Sequence, residues 1–198
     1  MKKLVADTRK LAKKHNIEIY LPQEDKVVAK GEKVGCNGYF DSDNRILAVA
    51  TGKPVEDWSK VYIHESCHLD QFIDNLYQWE KWNVGYSMFF KWIDGEIELN
   101  NDILLLCWKD VVDCELDCEK RAVEKIKKYK IDIPIEHYIK MCNTYLYSYT
   151  KILEVRKWKK GVYLNKKLIR CAPISFQDDY LTIPTKLNKA LDEFYATE

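Results

Sequence analysis

His64, Glu65 and His68 form an H-E-x-x-H pattern within Tyr62-Ile63-His64-Glu65-Ser66-Cys67-His68-Leu69. Residues four apart lie on one face of an α-helix, about one turn apart, so both imidazoles can reach a single ion. The carboxylate beside the first histidine then sits next to the ion, free to take a proton from water. That chemistry is metal-assisted hydrolysis. The chain has only 4 histidines, and two of them are in this pattern. Val61, Tyr62 and Ile63 before it, and Leu69, Phe72 and Ile73 after it, are apolar at helical spacing, which predicts a packed helix over about 55–76. Pro54 stands where a first turn would open.

A later segment offers a third ligand. Between residues 102 and 130 an apolar stripe runs Leu104, Trp108, Val111, position 115, Cys118, Ala122, Ile126 and Tyr129. Its steps of three and four residues are those of a helical seam. Position 115 is Glu115. A carboxylate in a buried stripe is costly unless it is paired or binds a metal. Packing this helix on the His64/His68 helix would let Glu115 complete a Zn²⁺ site of two histidines and one carboxylate. Such a site leaves a fourth position open to water. Glu119, one turn on, suits a supporting role, orienting a ligand by hydrogen bond. Asp117 falls on the opposite side and is expected in solvent.

A competing set exists. Cys114 and Cys118 are also four apart, and with His64 and His68 they would make a closed, structural zinc site without catalysis. That set leaves Glu115 buried without a role and gives Glu65 no task. Cys67 reads as a small packed residue.

A strand hairpin, an H-E-x-x-H helix and a later helix with a metal-binding Glu resemble the gluzincin metallopeptidases. The segment Glu115-Leu116-Asp117-Cys118-Glu119-Lys120-Arg121-Ala122 resembles the downstream E-x-x-A-[D/N]-x-x-A pattern of compact intracellular zinc peptidases of the ImmA/IrrE type. Cys118 stands in place of the first Ala, and Glu119 in place of Asp or Asn. The resemblance covers roughly residues 35–125. It implies that Glu115 binds zinc, that Glu65 is the general base, and that a strand edge before the motif helix pairs with extended substrate. Chemistry of this kind also calls for an oxyanion-stabilising donor. His137 is the candidate carried forward, with Tyr138, Tyr145 and Tyr163 as others.

The elements that must position these groups follow from periodicity and turn residues. An amphipathic helix is predicted over 3–15, a strand at Glu18 to Leu21, and a hairpin from Gly38–Asp41 and Arg45–Ala50, the second strand at the sheet edge. An aromatic-rich stretch follows over 77–93, which reads as a helix or a long packed connection. Asn100, Asn101 and Asp102 cap the long helix that carries Glu115. Pro134 starts another, reaching about Trp158. A short hairpin is expected within 160–183, and a last helix over Thr185 to Tyr195.

The expected architecture is α+β and zincin-like: a single metallopeptidase domain over 1–198, with its core in about 1–130 and a helical extension over about 131–198. The formal net charge of +1 gives no bulk electrostatic case for nucleic acid. Charge is uneven, however. Residues 151–170 hold eight bases (Lys151, Arg156, Lys157, Lys159, Lys160, Lys166, Lys167, Arg170) against Glu154. This run reads first as a solvated face and second as a surface for an acidic partner. The longest apolar run, Ile103 to Trp108, is far short of a membrane span. The N-terminus lacks the apolar core of a signal peptide, and 7 cysteines without a C-x-x-C pair fit reduced thiols, which together point to the cytoplasm. The expected substrate is a protein or peptide. The alternatives are a non-catalytic zinc-stabilised binding protein and an inactive zincin that presents residues 151–170 to a partner.

Overall fold

The computed structural model describes residues 1–31 and 33–196. Among them are seven α-helices, one 3-10 turn and a single three-stranded sheet, an α+β arrangement. The chain divides into two compact units, one comprising Met1–Leu76 and Lys120–Asp132, the other Tyr77–Glu119 and the residues from Ile133 onward.

In the first unit, α1 (Lys2–Lys14) buries Leu4, Thr8 and Ala12 and turns its lysines outward. It stops at Asn16, which takes a positive φ of 54° while the Ile17 amide donates back to the Ala12 carbonyl at 2.9 Å. The sheet comprises β1 (Glu18–Tyr20), β2 (Gly38–Asp41) and β3 (Ile46–Val49), in the order β1-β3-β2. β2 and β3 form the expected antiparallel hairpin, whose turn is held by Asp41 accepting from the Asn44 amide at 2.8 Å.

β3 is not the sheet edge expected from the sequence. It is central, because β1 pairs along its other side in parallel, Glu18 opposite Ile46 and Tyr20 opposite Ala48. Leu47, Ala48 and Val49 are accordingly fully buried. The edges are β1 and β2. β2 lies close against α2 (Val55–Asp74), and this contact demands Gly38: a Cβ there would stand 2.7 Å from Val61 Cγ1. Glu56 and Asp57 occupy the first turn of α2, where carboxylates offset the helix dipole.

The second unit is helical. It contains α3 (Leu76–Ile93) from Tyr77 onward, the first part of α4 (Asn101–Tyr129), α5 (Ile135–Val155), a 3-10 turn at Val162–Leu164, α6 (Lys166–Cys171) and α7 (Thr185–Ala196). Phe89, Trp108, Val111, Leu146, Tyr149 and Leu168 are among its core residues. Asn100 Oδ1 accepts from the Ile103 amide at 2.9 Å, the cap expected for α4.

No hairpin forms over 160–183, another departure from expectation. Asn165 caps α6 by accepting from the Lys167 and Leu168 amides. The loop beyond it is held by α5 side chains. Asn143 Nδ2 donates to the carbonyls of Pro173 and Ser175, and Thr150 donates to that of Tyr180. These bonds satisfy the loop backbone that a strand ladder would otherwise have paired.

Candidate metal centre

The motif lies within α2, as its spacing requires. His64 and His68 are half-buried and Glu65 is buried. The two histidines converge. His64 Nε2 and His68 Nε2 are 3.1 Å apart, with the rings nearly perpendicular at 88°. Nitrogens bound tetrahedrally to one zinc at the usual bond length stand about 3.3 Å apart, so this pair is set close to that spacing without rearrangement. The opposite nitrogen of His68, Nδ1, lies 2.8 Å from Oε1 of Gln71, a residue only 2% exposed.

Cys36, two residues before β2, has its thiol pushed up by burial and further by the Glu65 charge. Cys36 is half-buried, and its sulfur donates to the Val27 carbonyl.

α2 is fastened to the last two turns of α4 by a lysine. Lys125 Nζ donates to Ser66 O at 2.9 Å and Ser66 Oγ at 2.8 Å, and pairs with Asp70 Oδ2 at 2.7 Å. Arg121 adds an ion pair to Asp74 at 2.5 Å. Ser66 and Asp70 bracket His68, so the clamp fixes α4 alongside the turn of α2 that bears the histidines.

α4 buries the stripe that its spacing predicts. Trp108, Val111, Glu115, Cys118, Ala122 and Ile126 are all buried. Cys118 lies one turn before Arg121 and two turns before Lys125. The ligand atoms of His64, His68 and Cys118 lie within 4.8 Å of one another, a group that could hold a metal ion. Glu115 is not a member of that group. It is 4% exposed, and its charge adds to burial in raising the phenols of Tyr145 and Tyr149 and the thiol of Cys114.

Glu119 is also buried and accepts a hydrogen bond from Tyr138 at 2.7 Å. Burial and this carboxylate together push the Tyr138 phenol and the Cys142 thiol well up. His137, beside Tyr138 in the first turn of α5, is exposed. Asp117 is half-buried rather than fully in solvent.

Sequence reasoning found the histidines and the stripe but did not single out Gln71 or Lys125, and it considered Cys118 only together with Cys114. The spacing held the signals. Gln71 is one turn past His68, and Lys125 is two turns past Cys118, which puts each on the face already identified.

Half of the basic residues in 151–170 are spent within the chain. Lys151 pairs with Glu154 and Asp192, and Lys167 with Glu193. Arg156 pairs with Glu98 and donates to the carbonyls of Trp92 and Ile97, and Lys159 donates to the Phe194 carbonyl. No helix among the described residues is long and apolar enough to cross a membrane. No family model matches the chain, and neither a curated protein nor a solved structure is significantly similar to it.

Proposed function

We propose that the protein is a zincin-like metallopeptidase that binds a divalent ion, Zn²⁺ by its donor chemistry, through His64, His68 and a residue of α4. Cys118 is the third ligand in this reading, and Glu115, one turn earlier on the same stripe, is the alternative. The observation that carries the reading is the 3.1 Å approach of the two Nε2 atoms on α2, with Glu65 adjacent to the first. The donor set fits: imidazole and thiolate both suit zinc, and three protein ligands leave one position open.

A divalent ion held there supplies Lewis acidity, bringing the pKa of water toward neutrality and polarising a carbonyl. The protein's own residues do the rest. Glu65 takes a proton from the attacking water on its carboxylate and returns it to the leaving amine. An extended peptide is the substrate class, and β2 offers an open edge beside α2.

The test is metal content of protein purified without added metal, in wild type and in His68→Ala, Cys118→Ala and Glu115→Ala. One zinc per chain in wild type, lost in His68→Ala, is expected. The third ligand is the one whose replacement also releases the metal. No zinc after reconstitution would overturn the reading. Peptide hydrolysis is then assayed on the loaded protein. Cobalt substitution identifies the α4 donor directly, since a thiolate gives a sulfur-to-metal charge-transfer band and a carboxylate does not.

A second reading, a non-catalytic metal-stabilised binding protein, is favoured by one observation, the presence of Cys118 in the group. It predicts metal without turnover, and unfolding when the metal is removed.

A further inference from the structure

The geometry points to Gln71 as a positioning residue that fixes the tautomer of His68, and so presents the Nε2 lone pair of that ring toward His64. The inference deepens the metal-site reading and rests on it for its functional meaning. Its structural content stands on the metal-free protein.

The carboxamide oxygen of Gln71 lies 2.8 Å from His68 Nδ1. An amide oxygen carries no hydrogen, so the proton of this bond sits on Nδ1. A neutral imidazole protonated at Nδ1 has its lone pair at Nε2. That atom faces His64 Nε2 at 3.1 Å. In the metal-free protein, therefore, His64 donates its Nε2 hydrogen to His68. One of the two ligands is held ready, and the other exchanges a proton before it can bind.

Gln71 is suited to this task. At 2% exposure it has little competition from water. It lies three residues past His68 on the same helix, so the bond is made within one rigid element rather than across a mobile loop. Were the amide turned the other way, its NH₂ would donate to Nδ1. The ring hydrogen would then move to Nε2 and occupy the position a metal needs. The orientation of one carboxamide thus separates a ring ready to bind from a blocked one. An outer partner of this kind typically changes metal affinity by about 10–100-fold when removed.

The experiment is long-range ¹H–¹⁵N correlation of the histidine rings in metal-free protein at about pH 8, where an ordinary imidazole is neutral. Wild type, Gln71→Glu and Gln71→Leu are compared, with zinc affinity measured in parallel. Wild type is expected to show His68 protonated at Nδ1. Gln71→Glu, which can only accept, is expected to keep that tautomer and zinc affinity near that of wild type. Gln71→Leu is expected to give mixed tautomers and to lose about 10–100-fold in affinity. His68 protonated at Nε2 in wild type would overturn the proposal without any variant having to fold. An unchanged tautomer in a folded Gln71→Leu protein would overturn it as well. If wild type takes up no zinc, the metal-site reading fails, while the tautomer measurement still decides the part played by Gln71.

Discussion

A carboxylate can serve as base beside a metal only if it is held near the water and away from the ion. Glu65 is adjacent to His64 in sequence, and one residue of α-helix turns it about 100° around the axis. Its charge adds to burial in raising the Cys36 thiol, while the two imidazoles approach each other one turn apart. On the proposed reading, replacing Glu65 by Gln keeps the shape and removes the base. The metal content of Glu65→Gln is expected to equal that of wild type, and peptide hydrolysis to fall by at least about 10²-fold. Undiminished hydrolysis in the loaded variant would take Glu65 out of the mechanism. Tyr62, two residues before His64 and fully buried, supplies a pH signature at the same scale. Burial pushes its phenol up to about 12, against the opposing pull of Thr8 and Arg9. A group whose pKa rises on folding holds its proton more tightly in the folded chain. Its contribution to stability is therefore complete below the unfolded value near 10 and disappears as pH climbs through about 12. Thermal melts should shift downward across that window, and Tyr62→Phe should show a smaller shift than wild type. Equal shifts in the two proteins would assign the alkaline loss to other groups, Tyr195 among them, whose phenol is likewise pushed up to about 12.

At the scale of elements, legibility followed the range of the interactions. α2 and α4 could be read from sequence because a helix buries a face at a fixed spacing, and Glu115 sits in that face as the spacing required. The place of β3 could not. Its second partner, β1, comes from far back in the chain, and nothing local to Ile46–Val49 announces a parallel neighbour. The hairpin expected within 160–183 does not form, because Asn165 caps a short helix there instead. The metal group was legible in part: the histidines declare themselves by spacing, whereas the choice between Glu115 and Cys118, one turn apart on the same stripe, depends on axial placement that spacing does not encode. That placement is controlled by Lys125. Its side chain is 13% exposed and that of Asp70 22%, so removing the ammonium strands a carboxylate poor in water. Lys125→Met is expected to cost about 2–4 kcal/mol in urea unfolding. It should also weaken zinc binding, since the clamp sets α4 beside His68. Stability within about 0.5 kcal/mol of wild type would show that the clamp holds nothing that matters. A counterpart in the helical unit is Gly85, in the middle of α3. A Cβ there would meet Asp110 Cβ at 2.5 Å, so the helices approach too closely for any side chain. Ala would gain about 1 kcal/mol of helix propensity and lose about 1–3 kcal/mol to overpacking, a net destabilisation measurable by the same denaturation.

For the whole molecule, the important fact is that α4 is continuous from Asn101 to Tyr129 while its residues are divided between the two units at Glu119 and Lys120. Opening one unit without the other would interrupt an unbroken hydrogen-bonded helix about two thirds of the way along it, near Cys118, Ala122 and Ile126, which are buried. The chain is therefore expected to open as one cooperative body, and its thiols can report this. None of the seven cysteines is in a disulfide; Cys36 and Cys171 are half-buried, and Cys67, Cys107, Cys114, Cys118 and Cys142 are buried. Of the buried five, Cys67 belongs to the first unit and the other four to the second. A thiol reagent applied to the native protein should modify no more than the two half-buried sites quickly. The buried five should follow at a single shared rate set by global opening. If zinc binds the folded chain as proposed, it should slow all five together by the factor by which it stabilises that chain. Mass spectrometry of the labelled peptides separates the sites. A rate at Cys67 that differs from that at Cys142 would mean that the units open separately and that α4 breaks near Glu119 and Lys120 before the rest unfolds.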